Sequence, residues 1–147
     1  MRPTVITVVA CLLALGACGN QEDDMNQKKA ETAATEARQH IDALAARVGS
    51  NPETQQDTLT SCVPGDDSSG KMPSYSVRVT VDGDSVVRLR GEIADDLAAE
   101  GWTVKPRPSG SGVGETVAFQ KGATTMGASI FVDRGYASVG GSGGCVK

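Results

Sequence analysis

Apolar residues follow three different rhythms along this chain. The first is a near-continuous run from Val5 to Leu15, preceded by the short basic start Met1-Arg2 and followed by small residues. A bilayer-spanning helix needs about 20 apolar residues, so this run is too short to be an anchor and has the layout of an export signal. The second rhythm recurs every three or four residues, through Ala30, Ala34, Ala37, Ile41, Leu44 and Val48. That stripe predicts an amphipathic helix over Lys28–Val48, stopped by Gly49 and Pro52. Its branched second half is expected to dock on the domain, and its alanine-rich first half to be held only marginally. A coiled coil would need apolar heptads sustained over more length. The polar, acidic stretch between, from Gly19 to about Lys28, has no period and reads as a flexible tether (residues 18–27).

The third rhythm is alternation. Residues 51–74 are rich in Thr, Ser, Asp, Gly and Pro and read as a connection, whereas Tyr75 to Val81 alternates with period two and is β-branched, the mark of a half-buried strand. Asp82-Gly83 could turn a hairpin into Ser85–Leu89. Against this, Val86, Leu89, Ile93 and Leu97 share one helical face, Asp84 or Ser85 can cap it, and Gly101 stands where a helix-ending glycine belongs. A helix over residues 85–100 is therefore expected, despite Gly91 in its interior. Beyond it come a strand at Trp102–Lys105 ended by Pro106 and Pro108, a glycine-rich loop at 109–114, and strands at 115–121, 124–132 and 136–139 joined by tight turns. The expected fold class is α+β: N-terminal helix, strand, helix, then an antiparallel β-meander, in a single domain over residues 28–147.

Composition changes this picture in two respects. The formal net charge of -4 argues against a nucleic-acid partner, which would require clustered Lys and Arg. The cysteines are four: Cys11 lies inside the signal, Cys18 just after it, and Cys62 and Cys145 in the domain. In an exported chain the last two, without partner ligands at metal spacing, read as one structural disulfide rather than a redox pair. Closing a loop of about 84 residues stabilises by about 4.5 kcal/mol in the chain-entropy account.

Cys18 has a separate reading. Leu15-Gly16-Ala17-Cys18 resembles the lipobox of bacterial lipoproteins. The resemblance implies removal of residues 1–17, attachment of a diacylglyceryl group to the Cys18 thiol, and residence on the extracytoplasmic face of the cell membrane. Glu22-Asp23-Asp24 offers no basic attraction to anionic headgroups, so the acyl chains would supply the anchoring.

Candidate chemistry is sparse. His40, the single histidine, falls beside Ile41 on the polar flank of the first helix and reads as a solvated surface residue. Gly110, Gly112 and Gly114 lack the spacing and the following helix of a phosphate-binding loop. Asp82-Gly83-Asp84 lacks the glutamate that would close a calcium loop. Asp66-Asp67 and Asp95-Asp96 read as solvated faces. No catalytic residue, metal ligand or cofactor site is expected. Trp102, Phe119 and Ile130 are the residues that would line an apolar ligand pocket between helix and sheet, if they do not simply fill the core.

From the lipobox through Glu100-Gly101-Trp102 to Gly143-Gly144-Cys145-Val146, the chain also resembles small actinobacterial lipoproteins of unassigned activity. That resemblance implies an architecture and a cell surface, and carries no catalytic residue. The expected function is that of a non-enzymatic, membrane-anchored binding or interaction module with an envelope protein partner. The alternative is a carrier or sensor of a small apolar ligand.

Overall fold

The computed structural model describes residues 21–107 and 114–147. The expected signal peptide and lipobox with Cys18, and residues 109–113 of the expected glycine-rich loop, lie outside the described residues. The first element is helix α1, Gln21–Val48. The helix expected from Lys28 thus begins at Gln21, and from that residue on the expected tether is helical. The missing apolar period before Ala30 marks a solvent-facing turn and not a coil, because Glu, Asp, Gln and Lys sustain a helix without burial.

The stripe on α1 is as the spacing predicts, with Ala30, Ala34, Ala37, Ile41, Leu44 and Val48 all buried, and Ala45 besides. Its alanine half is buried as its branched half is. The reason is a close approach of backbones: a Cβ on Gly143 would come within 2.8 Å of the Ala33 carbonyl oxygen. Small residues on both sides let the C-terminal segment lie directly on the helix.

The largest departure from expectation lies between residues 50 and 74. Instead of an irregular connection, the chain forms a long hairpin, β1 (Ser50–Val63) and β2 (Asp66–Thr80), turning at Pro64-Gly65. The predicted strand Tyr75–Val81 is the second half of β2. β1 is an edge strand whose first eleven residues are all exposed, so it carries no alternating apolar signal. Backbone pairing with β2, the Arg38–Asp57 ion pair and the Cys62 disulfide fix it, and binary patterning is blind to all three.

The expected second helix forms as three joined pieces, together α2: Ser85–Arg88, a π-turn at Leu89–Ile93 containing Gly91, and Ala94–Ala99. It ends as predicted at Gly101. The Trp102 amide donates to the Leu97 carbonyl and the Gly101 amide to Ala98, the paired bonds of a Schellman motif, with Gly101 at φ 90°. The expected side-chain cap is replaced from upstream. The Asp82 carboxylate accepts from the Asp84 amide, the Ser85 hydroxyl and Arg88.

The meander follows as β3 (Thr103–Arg107), β4 (Glu115–Lys121), β5 (Thr124–Phe131) and β6 (Tyr136–Ser142), with a 3-10 turn at Val132–Arg134 between the last two. Pro106 does not end β3 but sits within it, which an edge strand tolerates. All pairs are antiparallel, in the order β1-β2-β6-β5-β4-β3. Both helices contribute to one hydrophobic core on one face of the sheet, against Val77, Val79, Val117, Phe119, Ile130 and Val139. The fold is α+β, with a hairpin where a single strand was expected between the helices. Cys62 and Cys145 are joined by a disulfide, tying the end of β1 to the tail, where Val146 pairs with Lys71 of β2.

Candidate functional site

Because α1 and α2 cover the same face, the other face of the sheet is left to solvent. The period of two dictates what paves it. With Val77, Val79, Ala137, Val139, Ala128 and Ile130 in the core, Arg78, Ser138 and Ser129 must point the opposite way. Register lines them up across the strands: Arg78 lies beside Ser138, Ser138 beside Ser129, and Ser129 beside Thr116, where the last two hydroxyls are 2.9 Å apart. The next row is Ser76, Gly140, Gly127 and Ala118. A Cβ on Gly140 would stand 2.6 Å from Ser76 Cβ, and one on Gly127 2.9 Å from the Val117 carbonyl oxygen, so the row stays low. Apart from Arg78, these residues line a shallow cleft of about 470 Å³.

One end of this face is aromatic. Tyr136 and Phe131 are cross-strand neighbours with ring centroids 5.0 Å apart. The Arg78 guanidinium lies 4.7 Å over the Tyr136 ring and the Arg134 guanidinium 5.7 Å over Phe131. Sequence reasoning passed over all four. The alternation of Tyr75–Val81 already placed Arg78 on the non-core face. The turn between β5 and β6 that brings Phe131 opposite Tyr136 was also legible, so the signal lay in their pairing.

A second cleft of about 410 Å³ runs between α1 and β1, over Val77, Val79 and Ala45. At its rim the Tyr75 hydroxyl donates to Asp42 at 3.0 Å. Burial pushes the Tyr75 phenol above its ordinary pKa, and the Asp42 carboxylate adds to the rise. Further along the same seam Arg38 grips Asp57 through both carboxylate oxygens. A register shift between Thr54 and Gln56 keeps Asp57 on the helix side of β1, which makes that grip geometrically possible.

The residues singled out from sequence fall as follows. Trp102, Phe119 and Ile130 are 4 %, 1 % and 1 % exposed and belong to the single core, and none of them lines either cleft. His40 is exposed on one side and meets the Trp102 ring edge-on, centroids 5.1 Å apart. Lys121 also approaches that tryptophan, its ammonium donating to the Glu100 carbonyl and lying 5.9 Å from the ring centre. Asp67 bonds Ser61 and Lys71, and Asp66 folds back on Ser68; these hydrogen bonds hold both carboxyls below their usual range. Gly114 lies against the Ile130 carbonyl at the start of β4, and Gly110 and Gly112 are outside the described residues. Among the described residues no cluster of His, Cys, Asp and Glu could hold a metal ion, and no helix is long and apolar enough to cross a membrane. No family model matches the chain, and no match to it was found among curated proteins or solved structures.

Proposed function

We propose that the protein is a non-catalytic binding module, lipid-anchored through Cys18 on the extracytoplasmic face of a bacterial cell membrane. One observation supports the binding half of this reading above the others. The sheet carries both helices on one face and leaves the other as a broad, low surface of hydroxyls and glycines bordered by stacked arginine and aromatic side chains. The anchoring half rests on the lipobox resemblance of Leu15-Gly16-Ala17-Cys18, and an envelope component is the partner such an anchor would bring within reach.

The experiment compares the wild type with Cys18→Ser and with Ser138→Trp, which builds a bulky ring onto the open face. Cys18→Ser should leave the membrane fraction and lack the mass of the lipid. Ser138→Trp should stay in the membrane fraction but lose retention on detergent-washed envelope material. Membrane retention of Cys18→Ser at unmodified mass overturns the anchor, and unaltered retention of Ser138→Trp overturns the use of this face.

A second reading, carriage of a small apolar ligand, draws on the cleft between α1 and β1 and not on the residues first suspected. Its floor is aliphatic and its rim carries the Tyr75–Asp42 hydrogen bond, the mixture of apolar lining and a few polar groups that small ligands occupy.

A further inference from the structure

Arg38, Arg47, Arg88 and Arg90 each pair with a carboxylate, respectively Asp57, Glu100, Asp82 and Glu115. Arg78 and Arg134 have no carboxylate partner among the described residues, and both are stacked on the same pair of rings. This is an arrangement of a particular kind. A guanidinium lying over a ring is fixed in orientation while its N–H edge stays available, a fork shaped for a carboxylate or phosphate. On a chain of net charge -4, two cations gathered at one end of one face, neither held in an ion pair among the described residues although Glu53 is the cross-strand neighbour of Arg78, suit an anion.

The neighbouring surface narrows the ligand further. Ser138 is the cross-strand neighbour of Arg78 and sits two residues from Tyr136; Ser129 stands beside it, two residues from Phe131. Hydroxyls both donate and accept, so they match a ligand that does the same. The low row of Gly140 and Gly127 lets that ligand lie flat across β2, β6, β5 and β4, a span of about 14 Å at the usual strand spacing. An extended molecule that is rich in hydroxyls and carries anionic groups is an acidic glycan. An anionic lipid surface is held by clusters of about four to eight cations, which this face does not gather. An acidic peptide adding as a strand would take a sheet edge rather than a face.

We propose that the helix-free face of the sheet binds an acidic glycan. Its carboxylates or phosphates lie on Arg78 and Arg134, which Tyr136 and Phe131 hold in orientation from beneath, and its hydroxyls on Ser138 and Ser129. This rests on the reading of the chain as an extracytoplasmic binding module and names its ligand class.

The test is calorimetric titration of the full chain in detergent with hyaluronate and polygalacturonate hexasaccharides, beside neutral chitohexaose, and of the Cys18→Ser chain without detergent with phosphatidylglycerol vesicles. At least one acidic hexasaccharide should bind, with chitohexaose weaker by about tenfold or more, and Arg78→Gln and Arg134→Gln should each weaken binding by about tenfold. Added salt should lower the affinity. Both arginines are exposed, so the variants should melt with the wild type, which separates lost binding from lost fold. Cys18→Ser should bind the glycan unchanged while failing to fractionate with membranes, so the anchor and the glycan site fail independently. No binding of either acidic glycan overturns the proposal. So does equal binding of chitohexaose, indifference to both arginine variants, or vesicle binding that depends on the arginines without glycan binding.

Discussion

Removing the Cys62–Cys145 bond is the perturbation whose size can be worked most directly from the structure. The two residues are 83 apart in sequence, and cross-linking a loop of that length lowers the entropy of the unfolded chain by an equivalent of about 4.5 kcal/mol. Whether the full amount is felt depends on what the bond holds in the native state. Lys71 and Val146 exchange two backbone hydrogen bonds of 2.8 Å each, worth about 1 kcal/mol apiece. These keep the tail beside β2 when the sulfurs are gone, so the folded structure of Cys62→Ser/Cys145→Ser should be retained and the loss should fall on the unfolded state. Against a domain stability of about 5–15 kcal/mol this is a large share. Urea unfolding followed by Trp102, the single tryptophan, reports directly on the core. With a slope of about 2 kcal/mol per molar, the midpoint should fall by about 2 M. A fall of less than about 0.5 M at unchanged slope would refute the reasoning. It would mean that the end of β1 and the tail detach before the sheet unfolds, so that the bond closes no loop within the cooperative unit.

Two further outcomes are expected. Gly91 lies in the π-turn of α2 with nothing within 4 Å of an added Cβ, so Gly91→Ala should stabilise by about 0.5–1 kcal/mol in the same urea titration, and a loss of stability would show that the turn needs glycine. The Ser85 hydrogen bond, and then Arg88, hold the Asp82 carboxyl below its ordinary pKa. A carboxyl depressed in the folded state contributes stability that is complete above its unfolded value, about 3.9, and is lost as pH falls through the lower folded value. Melting temperature should therefore fall more steeply below about pH 4 in the wild type than in Asp82→Asn, and parallel curves for the two would remove Asp82 from the acid response.

Where burial accompanies an element, its sequence announced it. The α1 stripe, the valines of β2, and the Leu97–Gly101–Trp102 ending of α2 are each tied to the core, and each was legible as period, alternation or a glycine stop. β1 and the first turns of α1 were not legible, for one shared reason. Both are exposed over most of their length, β1 as the outermost strand and residues 24–29 as a polar helix end. Hydrophobic rhythm reports which side of an element is buried and says nothing of an element with no buried side. Their order comes from backbone pairing, from the Arg38–Asp57 grip, and from a disulfide visible in sequence only as two leftover cysteines.

The same logic explains why the open face escaped notice while Trp102, Phe119 and Ile130 attracted it. Aromatic and branched side chains in alternating strands are conspicuous, but alternation sends Phe119 and Ile130 inward with the valines, where they serve the core. Phe131 and Tyr136 alternate the other way, one residue out of step with Ile130 and Ala137. An outward aromatic is unremarked singly; two in cross-strand register, with an arginine over each, are a surface that has been assembled. The arginines complete the case only by contrast. Arg78 stands out once Arg38, Arg47, Arg88 and Arg90 are seen to have carboxylates, and that comparison needs the three-dimensional partners of every one of them. The face proposed for binding, marked by what its side chains leave unpaired, is therefore the part of this protein that a linear reading is least able to see.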